Sequence, residues 1–135
     1  MCFIYACLLK DAHAERHGNG VRITFHLSHK NIGYLYFLRN WLNTFGYCNA
    51  EKDFKKRKQI HKNGKVYFSV KFHTFTFGSF IQLYNDWYHN KVKHLPENLE
   101  MFFTEFFLAI WLCDDGSKKE DAGLLLCTDC FTKEE

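Results

Sequence analysis

Strict alternation runs from Val21 to Leu27. Val21, Ile23, Phe25 and Leu27 share one side, and Arg22, Thr24, His26 and then Ser28 share the other. A side-chain period of two predicts a half-buried strand whose second face carries only hydrogen-bonding and cationic groups. The period then lengthens. Tyr34, Leu35, Leu38, Trp41, Leu42 and Phe45 recur at three- and four-residue spacing, which predicts a helix capped by Ser28 and closed by Gly46. Before the strand, residues 3–12 read as a short apolar helix and His17-Gly18-Asn19-Gly20 as a turn.

After Gly46, Lys62-Asn63-Gly64-Lys65 sits between arms near 54–61 and 66–77, the pattern of a β-hairpin. In the second arm Val66, Phe68, Val70 and Phe72 face one way, and Tyr67, Ser69, Lys71 and His73 the other. The phase slips at Thr74, since Phe75 and Phe77 become the apolar positions, so a β-bulge is expected there. Ser79 is placed as the cap of a helix carrying Phe80, Leu83, Tyr84 and Trp87. The aromatic stripes at 34–45 and 80–88 are assigned to the core. A loop around Pro96 leads to an apolar helix from Thr104 to Asp115, and a short strand is predicted at 123–128. Helices and antiparallel strands in this order predict an α+β architecture.

Charge adds a direction to this frame. The net charge of the chain is only +3, but Lys52 to Lys71 holds eight Lys or Arg against one Asp. Such a local excess suits contact with phosphates, although a basic run can also be a solvated hairpin face. The aromatic share, 15 Phe, 7 Tyr and 3 Trp with one Pro, matches AT-rich coding and fits an organelle; the compartment expected is the mitochondrion ahead of the chloroplast. The six cysteines, at 2, 7, 48, 113, 127 and 130, form no disulfide framework and are read as reduced intracellular thiols. Cys127 and Cys130 lack the second pair that a zinc site requires. The apolar run Met1–Leu9 is too short for a signal peptide or a membrane span, so a soluble protein with no membrane partner is expected.

One long-period repeat remains. The start of the chain and the segment from 104 both run apolar helix, acidic residue, small residue, polar turn, strand. Ile4-Tyr5-Ala6-Cys7-Leu8-Leu9-Lys10-Asp11-Ala12 aligns with Leu108-Ala109-Ile110-Trp111-Leu112-Cys113-Asp114-Asp115-Gly116. Both resemble the nine-residue motif of the LAGLIDADG homing endonucleases, and the spacing suits their single-chain, two-motif branch. The resemblance implies an αββαββα repeat with a saddle-shaped antiparallel sheet, with residues 1–103 as the first repeat and 104–135 as the start of a second, truncated one. In the seventh motif position, usually small, stand Lys10 and Asp114, and Ile110 fills a place often taken by Gly.

The resemblance also implies chemistry. Asp11 and Asp115 occupy the eighth position, where the family's acids hold Mg²⁺ at the scissile phosphates. Carboxylate-held divalent metal activates water and neutralises charge on phosphorus. The implied partner is double-stranded DNA at an intron-insertion site, read in the major groove by alternate strand side chains. The candidates for that contact are Arg22, Thr24, His26, Lys56, Arg57, Lys58, Lys62, Lys65, Tyr67, Ser69, Lys71 and His73. Two alternatives stay open. The chain could be an RNA maturase that binds a group I intron, or a catalytically inactive remnant. A missing C-terminal segment or a second chain would complete the second repeat.

Overall fold

The computed structural model describes residues 1–9, 12–51, 53–118 and 124–126, with the backbone alone at 114–118 and 124–126. The chain divides into two compact units, Met1–Ala12 with Ile81–Glu135, and His13–Phe80.

In the second of these, the first residue of β1 excepted, strands β1 (Ala12–His17), β2 (Gly20–Ser28), β3 (Lys56–Ile60) and β4 (Val66–His73) form one sheet in the order β1-β2-β4-β3. The helix expected over 3–12 forms over Cys2–Leu8, and only its last expected residue, Ala12, belongs to β1 instead. Ala12 and Ala14 are buried while His13 and His17 are exposed, so this stretch alternates as a strand and the turn shrinks to Gly18-Asn19. β2 and β4 are antiparallel with Thr24 opposite His73, Phe25 opposite Phe72 and His26 opposite Lys71. The expected apolar face forms along β2 and the second half of β4, while Val66 and Phe68 stay exposed. Val21, Ile23, Phe25, Leu27 and Val70 are buried, and the Phe25 and Phe72 rings stack at 4.6 Å. Each such side chain contributes about 1.5–3 kcal/mol on burial.

The bulge falls where the phase slip places it. Ile23 pairs with Thr74, through the bond from Thr74 N–H to the Ile23 carbonyl, yet Val21 exchanges bonds of 3.1 and 2.9 Å with Phe77. Two residues on β2 thus oppose three on the other strand. The buried Thr74 hydroxyl closes the gap, accepting from Ile23 N–H and donating to the Phe75 carbonyl. Gly20 lies against this bulge, where a Cβ would stand 2.9 Å from the Phe77 carbonyl. At the other end of the hairpin, Gly64 (φ +77°) follows a turn closed by Gly64 N–H to the His61 carbonyl. One left-handed residue, not two, makes this a type I turn with a bulge.

Ser28 accepts from Lys30 N–H and caps a short 3₁₀ turn, His29–Asn31, which leads into α2 (Ile32–Thr44). Gly46, at φ +74°, terminates α2 in the left-handed conformation that glycine tolerates. Leu35, Leu38 and Leu42 are buried, but the aromatic stripe is not the core expected of it. Tyr34 and Trp41 are half-buried and Phe45 is 60% exposed. The leucines and Arg39 fill the inner stripe, so the rings fall on its flank.

Among the described residues the other unit contains three α-helices, α1 (Cys2–Leu8), α3 (Phe80–Trp87) and α4 (Glu105–Asp115), the first residue of α3 excepted. Phe3 to Leu8 are buried throughout. α1 packs against α4, where Phe107 and Ile110 are buried and Phe3 stacks on Phe106 at 6.1 Å. Tyr5 packs on Phe102 at 4.0 Å and donates to Asp86 Oδ2 at 3.0 Å. Burial, then the Asp86 carboxylate, push the Tyr5 phenol up to about 12. α4 starts at the Thr104 hydroxyl, which accepts from Phe107 N–H. Strands β5 (Tyr88–His89) and β6 (Val92–Lys93) form a small hairpin unforeseen in the sequence, turned by Asn90 and Lys91, both at positive φ. After α4, β7 (Gly116–Lys118) pairs antiparallel with β8 (Leu124–Leu126). Helix then strand pair recurs after α4 as after α1. Among the described residues no helix is long and apolar enough to cross a membrane. Cys2, Cys7, Cys48 and Cys113 form no disulfide among the described residues, and Cys127 and Cys130 lie outside them.

Candidate nucleic-acid interface

The polar face of the sheet assembles from three strands. β2 supplies Arg22, Thr24 and His26, β4 supplies Tyr67, Ser69, Lys71 and His73, and β3 adds Arg57 opposite Ser69 and Gln59 opposite Tyr67. Lys56 and Lys58 fall on the other side, opposite Val70 and Phe68. The basic run is therefore divided by the pleat, and only alternate cations join the polar face. Lys62 and Lys65 stand exposed at the hairpin turn.

Within this face the groups are not equally available. Thr24 is fully buried and its hydroxyl donates to Glu15 Oε1 at 2.7 Å. Arg22 Nε donates to the same oxygen at 2.6 Å. Burial pushes the Glu15 carboxyl up, but the Thr24 hydroxyl, Arg22 and then Lys71 outweigh it and hold the group below its usual value. Glu15 was not among the sequence candidates. Its signal was the Ala12-x-Ala14 alternation, which places His13, Glu15 and His17 on the polar side. His26, Arg57, Tyr67 and His73 are exposed, and Lys71 half-exposed. Ser69 is 6% exposed, with no hydrogen-bond partner for Oγ among the described residues. It borders a hollow of about 230 Å³ shared with His26, Gln59, His61 and Tyr67. Donors and acceptors set at strand spacing around such a hollow match what base edges present in a groove.

The acid positions fall in the helical unit. Asp115 is the last residue of α4. Asp11 lies outside the described residues, three positions beyond the end of α1. No group of three His, Cys, Asp or Glu side chains among the described residues could hold a metal ion.

One unit thus holds a sheet with an apolar and a cationic polar face, and the other a pair of packed apolar helices. The chain belongs to the LAGLIDADG DNA endonuclease family, whose model matches residues 1–135. It is 38% identical to the cytochrome b mRNA maturase bI2 of Saccharomyces cerevisiae, over 98% of this chain and 33% of that protein. It is also 38% identical to the maturase bI2 of Debaryomyces hansenii, over 98% of this chain and 50% of that one. The intron-encoded endonuclease ai4 of Dictyostelium discoideum is 32% identical over 70% of this chain and 61% of its own length. The chain thus spans a third to a half of the maturases it matches. In fold it is similar to the homing endonuclease I-WcaI, solved bound to its DNA recognition sequence. The TM-score is 0.80 at 22% identity, covering 98% of this chain and 60% of that one.

Proposed function

We propose that this chain is part of a mitochondrial, intron-encoded endonuclease that binds double-stranded DNA at an intron-insertion site across the polar face of its sheet. Residues 1–103 act as the first repeat and 104–135 open a second, which a further segment or a second chain completes. The observation that carries the reading is the packing of α1 against α4, because these are the helices that bear the two acid-terminated motifs. Asp11 and Asp115 are the catalytic pair, one for each strand. Carboxylates are hard oxygen donors of the kind Mg²⁺ takes. Bound there, the ion would lower the pKa of water and offset charge at the phosphate. Arg22, His26, Arg57, Tyr67, Ser69, Lys71 and His73 hold and read the duplex, with Thr24 supporting Glu15 beneath it. Lys62 and Lys65 at the turn, and Lys56 and Lys58 on the far side, reach backbone phosphates only.

A second reading rests on the 38% identity to two cytochrome b mRNA maturases over nearly the whole chain. There the same polar face binds group I intron RNA and the acids are dispensable. Cleavage of a supercoiled plasmid carrying the insertion site separates the two. The endonuclease linearises it with Mg²⁺ and not with EDTA, and Asp11→Asn or Asp115→Asn abolishes the cut. A folded chain that leaves the plasmid intact while binding intron RNA, with either Asn variant unchanged, establishes the maturase instead.

A further inference from the structure

A cavity of about 470 Å³ opens beside the sheet where β3 has not yet begun to pair with β4. Its lining combines Arg22, Arg39, Lys55, Arg57, Lys71 and His73 with the rings of Phe54 and Phe72 and the amide of Asn49. Among the described residues Asp53 is the one carboxylate on its wall. Arg39 is 6% exposed, its guanidinium 4.2 Å from the Phe54 ring centroid and 5.0 Å from that of Tyr36. Arg22 is tied back to Glu15.

Three features select the ligand. Five cationic side chains stand against two carboxylates, Asp53 on the wall and Glu15 on Arg22, and the positive charge left over favours a polyanion. The volume lies within the ~300–1,000 Å³ of small-molecule sites and far above the ~30 Å³ of one water. The cations are interleaved with aromatic rings, the combination that takes a phosphate and a base together. The location excludes a continuous duplex. Arg39 and Phe72 belong to α2 and to the apolar side of β4, so a group that meets them has left the groove and entered the sheet edge.

We infer that this cavity accepts one unpaired nucleotide of a single-stranded or bulged polynucleotide, with Lys55 and Arg39 on its phosphate side and Phe54 beside its base. The inference rests on the reading of the sheet as a nucleic-acid face and extends it from a duplex groove to a strand that is locally unpaired. Arg22, Arg57, Lys71 and His73 belong to both the cavity and the duplex face, whereas Arg39, Phe54 and Lys55 belong to the cavity alone.

The test uses the full chain and a fluorescein-labelled hexaribonucleotide, followed by anisotropy. Adenosine 5′-monophosphate displaces the labelled strand, while adenosine and inorganic phosphate at equal concentration displace it at least tenfold less well. Lys55→Ala weakens the single strand about fivefold and a duplex of equal length less than twofold. Asp53→Asn tightens the single strand. Equal displacement by inorganic phosphate overturns the inference, as does a Lys55→Ala effect that is the same on both ligands or absent from both. Wild-type protein that binds the single strand but no duplex sinks the duplex reading and leaves the cavity assignment standing.

Discussion

Replacing Glu15 by Gln is expected to move stability and nucleic-acid affinity in opposite directions. The carboxylate accepts two bonds on one oxygen, 2.6 Å from Arg22 Nε and 2.7 Å from the buried Thr24 hydroxyl. Gln keeps an acceptor oxygen but not the charge. Bonds to charged groups contribute about 1.5–3 kcal/mol against about 0.5–1.5 for neutral ones. The side chains are 21% and 31% exposed, so solvent screening reduces the expected loss to about 1 kcal/mol. That corresponds to a fall of about 4 °C in Tm for a chain of this size.

Affinity should rise for the same reason. An anion about 8 Å from a phosphate in a water-like dielectric costs about 0.5 kcal/mol, so its removal gives roughly a twofold gain. Arg22, no longer neutralised by Glu15, then counts as a full charge at its phosphate and steepens the slope of log K against log salt by up to about 0.9. Thermal melts and anisotropy titrations at several salt concentrations read both effects. Stability also acquires a pH signature. Because the folded pKa of Glu15 lies below its usual 4.5, its contribution is present above that value and is lost as pH falls through the folded pKa. The wild type therefore loses this increment on acidification below about pH 4.5 and the Gln variant does not. A Glu15→Gln protein that is both less stable and a weaker binder would refute the assignment of this face.

Gly20→Ala should cost about 2–3 kcal/mol in urea unfolding, since its Cβ would meet the Phe77 carbonyl and Thr76 Cγ2 at 2.9 Å and split the Val21–Phe77 bonds; a loss below about 0.5 kcal/mol would show that the bulge yields freely. Tyr5→Phe removes the bond to Asp86 and should cost about 1 kcal/mol. In a spectrophotometric titration it should also delete the phenolate step near 12, and a titration curve identical to wild type would place Tyr5 outside that environment.

The sheet was legible wherever one face is apolar. Val21 to Leu27 and Val66 to Phe72 declare their faces by period, and the slip at Thr74 declares the bulge. β1 was hidden because its buried positions are alanines, which suit a helix as well as a strand, and the apolar run just before it is helical. The β5–β6 hairpin was hidden for another reason. Its turn places Lys91 in a left-handed conformation that lysine does not advertise. At the site, the candidates on β2 and β4 are brought to one face as their spacing requires. The candidates from the basic run are not, because Lys56, Arg57 and Lys58 are consecutive and the pleat sends only Arg57 to the polar side. Glu15 and Arg39 carry no local pattern. One is identified by what it bonds to across the sheet, the other by the rings packed on it.

The two functional readings share the sheet and share the helix pair, since α1 is buried along its length and would be kept for its packing alone. Only the acids divide them, and their position gives the division a thermodynamic sign. α4 ends in Asp114-Asp115 with no basic residue in its last turn. Negative charge at a helix C-terminus opposes the macrodipole and costs about 0.3–1 kcal/mol per group. Without a ligand for Asp115, its replacement by Asn should therefore raise Tm by about 1–4 °C. If the carboxylate serves to hold a divalent ion, Mg²⁺ at a hundred times its Kd stabilises the wild type by about 2.7 kcal/mol and the Asn variant far less. The endonuclease reading thus expects two melting curves that cross: the variant more stable in EDTA, the wild type more stable in saturating Mg²⁺. Curves that stay parallel at every Mg²⁺ concentration leave Asp115 as an unfavourable helix end with no metal to hold.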